Sequence, residues 1–257
     1  MSVDDGFIRS VVKICGNVLL INSQNEFEYE EKNPWMDVYD CDKPFWDGLE
    51  IEKKFDINGD IDVVGLITRI PETFKYFSFS RLNECIGNEH FVKLYNGNFT
   101  QHYAVLTDAY PHKSAKIKYP TEYEWVRRVR LCPFNEKDEI YFQQNLIGGE
   151  QYQVTRYPTI RKEKYRYILV DDEGWVWGLS ISKARTYDDR RIKTELELEF
   201  WSRIQTVNSQ FLESIDDVLN KLERYMRSIA VWLDEIGIKY VYPGEKKYDW
   251  FERNFRI

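Results

Sequence analysis

The chain has 257 residues, 43% of them hydrophobic and 31% charged, with a formal net charge of −7. That balance excludes a globally disordered chain and a generally basic coat for nucleic acid or anionic membrane. The length suits one β-rich or α/β domain, or two small ones, and an aromatic share of 16% favours strands.

Cys15, Cys41, Cys85 and Cys132 lie far apart and form no CxxC pair. Neither a zinc site nor a small disulfide scaffold is signalled, and reduced thiols in an intracellular setting, cytoplasmic or nuclear, fit best. The polar, acidic first ten residues do not read as a signal peptide. No apolar stretch approaches the ~20 residues that a membrane helix needs, so no membrane partner is expected.

In chain order, Val11 to Ile21 reads as a strand pair turning at Gly16-Asn17. Residues 26–47 are acidic and aromatic, an irregular segment pinned by Trp35 and Trp46. Leu49-Glu50-Ile51-Glu52-Lys53-Lys54-Phe55 then alternates. As a strand it carries Glu50, Glu52 and Lys54 on one face and Leu49 and Ile51 on the other. Asp56, Asn58, Asp60 and Asp62 superficially suggest a calcium loop, but the glycine falls too early and no glutamate closes it.

Ile61–Ile70 is expected as a strand, a short helix around Phe79–Ile86, and a strand from Gln101 to Leu106. His90, His102 and His112 have no metal-ligand spacing. Residues 121–131 read as a strand with Arg128 and Arg130 on one face and Trp125, Arg127 and Val129 on the other. Tyr141–Leu146 is another short strand, turned by Gly148-Gly149, and Tyr152–Thr155 follows.

The run from Arg161 to Val170 projects Lys162, Lys164 and Arg166 to one side of a strand, and Asp171-Asp172-Glu173-Gly174 turns it. Trp175 to Lys183 returns as its partner. Glu195-Leu196-Glu197-Leu198-Glu199 is a second acidic strand, with three carboxylates on one face and two leucines on the other. From Asn208 to Ile236 the apolar residues take a helical period, with a cap at Ser214-Ile215-Asp216-Asp217 and Gly237 at the far end. A loop-rich tail is expected after it.

Four charged strand faces result, two acidic and two basic. Facing outward, they would simply be solvated. Facing inward in an antiparallel barrel, each row needs its opposite or a ligand, because buried charges must be paired or coordinated. Such an interior suits a polyanion on the basic rows and a hard divalent cation on the carboxylates, the requirements of phosphoanhydride hydrolysis.

These segments, in this order, resemble the triphosphate tunnel metalloenzymes, also called CYTH-like proteins. Glu50-x-Glu52-x-Lys54 matches that family's N-terminal ExExK motif, and Arg128-x-Arg130 is similar to its central arginine strand. Lys162-x-Lys164-x-Arg166, a turn, a return strand and Glu195-x-Glu197-x-Glu199 look like the C-terminal half of fungal and viral RNA 5′-triphosphatases of mRNA capping. Lys162 stands where the capping pattern often has arginine. The resemblance spans roughly residues 48–201.

The resemblance implies a β-rich α+β fold, a closed eight-stranded antiparallel β-barrel or tunnel with external helices. The chain would be a single domain over 1–257, with a core at 48–201, an N-terminal extension at 1–47 and a C-terminal helix and tail at 208–257. It implies Glu50, Glu52 and Glu199 as ligands of Mn²⁺ or Mg²⁺. Lys54, Arg128, Arg130, Lys162, Lys164 and Arg166 would hold the triphosphate, and Glu195 or Glu197 would orient or deprotonate the attacking water, or organise the basic rows. The implied activity is release of the γ-phosphate from triphosphate-ended RNA. The alternatives are a small-molecule triphosphatase or adenylate cyclase of the same superfamily, or a polyphosphate- or RNA-end-binding module without turnover. A guanylyltransferase partner and a homodimer are left open.

Overall fold

A computed structural model describes residues 12–14, 17–21, 27–29, 46–80, 82–95, 101–109, 113–133, 153–187, 190–203 and 214–255. Of these it describes the backbone alone at 12–14, 17–21, 27–29, 46–49, 83, 90–95, 101–109, 113–117, 119–120, 128–133, 153–155 and 202–203. The strand expected at Tyr141–Leu146 and the start of the long helix before Ser214 lie outside the described residues.

β1 (Val12–Ile14), β2 (Asn17–Ile21) and β3 (Phe27–Tyr29) make a small antiparallel sheet. The strand pair expected over 11–21 is β1 with β2. β3 falls inside the segment expected to be irregular, and most of that segment lies outside the described residues.

The large sheet contains β4 (Trp46–Ile57), β5 (Ser78–Phe79), β6 (Asn83–Tyr95), β7 (Gln101–Ala109), β8 (Lys113–Pro120) and β9 (Val126–Pro133). β10 (Gln153–Arg156), β11 (Ile160–Val170), β12 (Trp175–Thr186), β13 (Ile192–Arg203) and β14 (Tyr240–Val241) complete it. Its order is β10-β6-β7-β8-β9-β4-β13-β12-β11-β5, with β14 on β4. β6 also pairs with β11, from Asn83 opposite Arg166 to Glu89 opposite Ile160.

Around the charged rows, directly opposed residues share a face. Leu196 lies opposite Phe55, and Ile181 opposite Leu196. These side chains belong to an apolar cluster completed by α1 (Val63–Ile67), α2 (Ile70–Thr73) and α3 (Ile215–Glu235). α3 begins at a capping box between Ser214 and Asp217, as the sequence suggests. It buries Val218, Leu222, Tyr225, Met226, Ile229, Trp232 and Leu233, each worth about 1.5–3 kcal/mol when fully removed from water. The other face of β4, β11 and β13 carries the alternating charged rows, with small residues of β12 between them, and Glu50, Lys54, Lys162, Glu195 and Glu197 are buried there.

Three expectations are corrected. Residues 61–70 form α1 and the start of α2, not a strand. Asp62 caps α1 by accepting from the Gly65 N–H, and Val63, Leu66, Ile67 and Ile70 are buried at the spacing of a helix face. Residues 83–86 belong to β6 rather than a helix, because pairing with β11 outweighs local preference. The tail contains α4 (Lys247–Phe255), which buries Trp250 and Phe251. A smaller correction concerns 121–131: the strand starts at Val126, and the Thr121 hydroxyl donates to the Val126 carbonyl to make the turn before it.

Candidate active site

The alternation in β13 sends Glu195, Glu197 and Glu199 to one face, and the strand register brings β4 and β12 alongside. Glu195 lies opposite Asp56, Glu197 opposite Lys54, and Glu199 opposite Glu52. Across the other edge Ser182, Ser180 and Gly178 face the same three glutamates. Lys164 and Arg166 lie opposite Ser182 and Ser180 in turn. Small residues on β12 thus leave room for the long side chains of β11 and β13 to meet over them.

These charges are not solvated. Glu195 is 0% exposed, Glu197 4%, Lys54 5% and Lys162 8%. Lys54 Nζ lies 2.7 Å from Glu195 Oε1, and Lys193 Nζ lies 2.5 Å from Asp56 Oδ1 and 3.6 Å from Glu195 Oε1. Lys164 Nζ is 2.9 Å from Glu197 Oε2, to which the Ser180 hydroxyl also donates. Lys162 Nζ is 3.0 Å from Glu89 Oε1 on β6. The outward-facing, solvated reading of the alternating strands is therefore excluded for these residues.

Lys247, at the start of α4, reaches the same rows: its Nζ is 3.0 Å from Glu195 Oε2 and 3.3 Å from Glu197 Oε1. α4 is seated by Trp250 and Phe251, which pack with Tyr157, Ile160 and Ala184. Ala184 lies opposite Lys162 and Lys193, so the helix covers the end of the charged face where Lys193 sits. The segment leading to it is tied to β4, since the Gly244 N–H donates to the Lys54 carbonyl and the Glu245 N–H to Asp56. A Cβ on Gly244 would stand 2.9 Å from the Asp56 nitrogen, so glycine permits this approach.

At the opposite end, the Arg166 guanidinium lies over the Trp201 ring, 5.1 Å from its centroid. The Trp201 indole lies against Gly178, where a Cβ would meet its Nε1 at 2.6 Å. In this half Lys118, from β8, contacts Glu50 and Glu52 together, at 2.5 Å and 3.3 Å.

Burial alone would raise the Glu195 carboxyl, but Lys247, Lys54 and Lys193 hold it well below the usual range. Glu197 is likewise buried and held down by Lys164, Lys247, Lys162 and Lys54. Burial opposes the charge of Lys247, yet Glu195, Glu197, Glu89 and Glu52 keep it firmly protonated. Lys162 goes the other way: burial, with Lys247 and Lys164 close by, outweighs the attraction of Glu89 and lowers it to about 8.

Of the residues singled out in the sequence, Lys54, Lys162, Lys164, Glu195 and Glu197 occur in paired contacts on one buried face. Glu50 and Glu52 meet through Lys118. Glu199 takes its place opposite Glu52 in the ladder. In β9 the backbone register sets Arg128 opposite Leu49 and Arg130 opposite Asp47, while Arg127 lies opposite Glu50. The side chains of Arg128 and Arg130 lie outside the described residues. Sequence reasoning missed Lys118, Lys193 and Lys247. The alternation Lys116-Ile117-Lys118 is a usable signal for the first; Lys247 has none, since one lysine at a helix start carries no period.

Among the described residues no group of three or more His, Cys, Asp or Glu side chains forms a ready metal site. The donor set nonetheless fits a hard divalent cation. Glu50 and Glu52 offer carboxylate oxygens from one strand face and already share one cation, the Lys118 ammonium.

No protein-family model and no curated protein matches the chain. Among solved structures, a candidate adenylate cyclase from Bacillus halodurans is similar, with a TM-score of 0.45 and 14% identity, over 81% of this chain and 98% of that one. The S. pombe RNA triphosphatase Pct1, in complex with the Spt5 CTD, matches with a TM-score of 0.31 and 11% identity, over 73% of this chain and 84% of its own. The Mimivirus capping enzyme triphosphatase matches with a TM-score of 0.29 and 12% identity, over 71% of this chain and 89% of its own. The similar structures thus include members of the group that the sequence motifs resemble. At such scores and identities they carry no functional argument. Among the described residues no helix is long and apolar enough to cross a membrane.

Proposed function

We propose that this protein is a divalent-metal-dependent triphosphatase that removes the terminal phosphate from triphosphate-ended RNA. The observation that carries the reading is the buried lattice in which Glu195 and Glu197 are met by Lys54, Lys164 and Lys247. A row of lysines buried against a row of carboxylates is an expensive way to make a core, because desolvation consumes most of the Coulomb gain. Its use lies in being opened: when a polyanion enters, the lysines can turn to phosphate oxygens, provided the carboxylates find another cation.

In this proposal the eight strands that include β4, β11, β12 and β13 close around the charged face as a tunnel within one domain. Lys54, Lys162, Lys164, Arg166 and Lys247 hold the triphosphate. Arg128 and Arg130 are not among the side chains that carry the proposal. Glu50, Glu52 and Glu199 would hold Mn²⁺ or Mg²⁺, which when bound withdraws charge from the terminal phosphoryl group. The water oxygen bonds to the terminal phosphorus as the bond to the bridging oxygen breaks, giving inorganic phosphate and a diphosphate end. Glu195 and Glu197 stay ionised and are weak bases, so they orient water by accepting its hydrogen bonds rather than removing its proton.

α4 covers one end of the charged face, which favours a substrate that enters phosphate first by a terminus over a strand threaded through. Three alternating glutamates following a basic hairpin resemble the capping branch of the tunnel enzymes more than its small-molecule branch, and that resemblance is the ground for preferring RNA over a small triphosphate. The test is phosphate release from triphosphate-ended RNA, tripolyphosphate, ATP and thiamine triphosphate, each with and without Mn²⁺. Metal-dependent release from RNA exceeding that from tripolyphosphate supports the proposal. Preference for a small substrate would assign a small-molecule triphosphatase, and binding without release a non-catalytic module.

A further inference from the structure

Lys118 belongs to none of the motifs in the sequence, yet it contacts both β4 carboxylates proposed above to hold the cation. Its Nζ lies 2.5 Å from Glu50 Oε2 and 3.3 Å from Glu52 Oε1. Glu50 is 3% exposed, so an unpaired charge there would cost several kcal/mol. Glu50 and Glu52 project from the same face of β4 and repel one another, and a single ammonium shared between them offsets both effects. An ammonium is a compact charge on a flexible stem, able to leave one partner for another without moving the backbone.

We infer that Lys118 is an internal placeholder cation: it holds Glu50 and Glu52 in the ligand-free protein and yields them to a divalent cation. The released ammonium then faces the interior as a further donor to phosphate oxygen. This rests on the metal-dependent reading above and adds a residue to it. Exchanging one positive charge for two while freeing a lysine makes cation binding and anion binding favour each other, a coupling that must be reciprocal. Lys118 is thus a positioning residue for the cation site.

The test is Mn²⁺ binding to the full chain without substrate, read from the free-ion electron paramagnetic resonance signal. Wild type, Lys118→Met and Lys118→Arg are compared, and melting temperature is followed with chelator and with Mn²⁺. Removing the competing charge should tighten Mn²⁺ binding at least about fivefold in Lys118→Met, at the low end of ordinary coupling. Lys118→Arg should show no such gain. The Met variant should melt below wild type in chelator and gain more from Mn²⁺. Should Lys118→Met fail to fold without metal, Lys118→Gln takes its place in the same comparison. Wild type binding Mn²⁺ with no gain in the neutral variants would overturn the placeholder role and leave the metal-dependent reading standing. Absence of Mn²⁺ binding in every chain would overturn both.

Discussion

Lys54 Nζ and Glu195 Oε1 meet at 2.7 Å across a separation of 141 residues, joining the first acidic strand to the second inside the protein. Neither residue is accessible, and Glu195 also answers Lys193 and Lys247. Removing Glu195 therefore leaves several buried ammoniums short of a partner. Glu195→Ala is expected to cost about 3–5 kcal/mol, measured as a shift in the urea midpoint at constant m-value. A change under about 1 kcal/mol would mean that the lattice is open to water.

Seating of α4 is a matter of aromatic packing. Phe251 is fully buried and stacks on Tyr157 with ring centroids 5.1 Å apart. Phe251→Ala should cost roughly 3–5 kcal/mol of packing and raise amide exchange across 247–255. Tripolyphosphate affinity should fall with it, because Lys247 is positioned by the same helix. Exchange no faster than in wild type would contradict this assignment.

Anion binding should depend on pH through Lys162. Burial and the neighbouring Lys247 and Lys164 lower it to about 8, so its charge is lost as pH rises past that value. Tripolyphosphate affinity should drop between about pH 7 and 9, a window centred on that value, and Lys162→Met should remove that step. The linked stability has the opposite sense. Between about 8 and the ordinary lysine value of about 10.4 the unfolded chain binds more protons than the native one, so this group's contribution to stability rises with pH there. A pH-independent affinity in wild type would exclude the assignment.

Acid should undo the lattice. Glu195 and Glu197 are held below their ordinary range by surrounding lysines, so their contribution is complete above the unfolded value of about 4.3. It is lost progressively as pH falls below that value toward the depressed folded ones. Denaturant midpoints between pH 6 and pH 2 should fall more steeply for wild type than for Glu195→Gln. Parallel curves would mean that these carboxylates are not the ones that titrate.

The charged faces of β4, β11 and β13 were legible because a period of two is local: Glu50, Glu52 and Lys54, or Glu195 and Glu197, announce a shared face without knowledge of their neighbours. The cap at Ser214 and the stripe of α3 were legible for the same reason. Lys118 sits in the alternation Lys116-Ile117-Lys118, which shows a charged face but not its partners on β4; Lys247 carries no local signal, because what gives it its role is a partner brought close only by folding. The segment 61–70 misled because Ile61, Val63, Val64, Ile67 and Ile70 are all β-branched, and composition spoke louder than spacing. The aromatic tail read as a loop because its helix is short and gains its stability from Ile160 and Ala184 rather than from its own sequence.

The most direct test of the central claim is γ-phosphate release from triphosphate-ended RNA in Mn²⁺ by wild type and by Glu50→Ala, Glu52→Ala and Glu199→Ala, each shown by circular dichroism to be folded. The account predicts metal-dependent release by wild type and its loss, by about a hundredfold or more, in all three variants. Folded variants that turn over within about twofold of wild type, a difference of about 0.4 kcal/mol in the barrier, would contradict it.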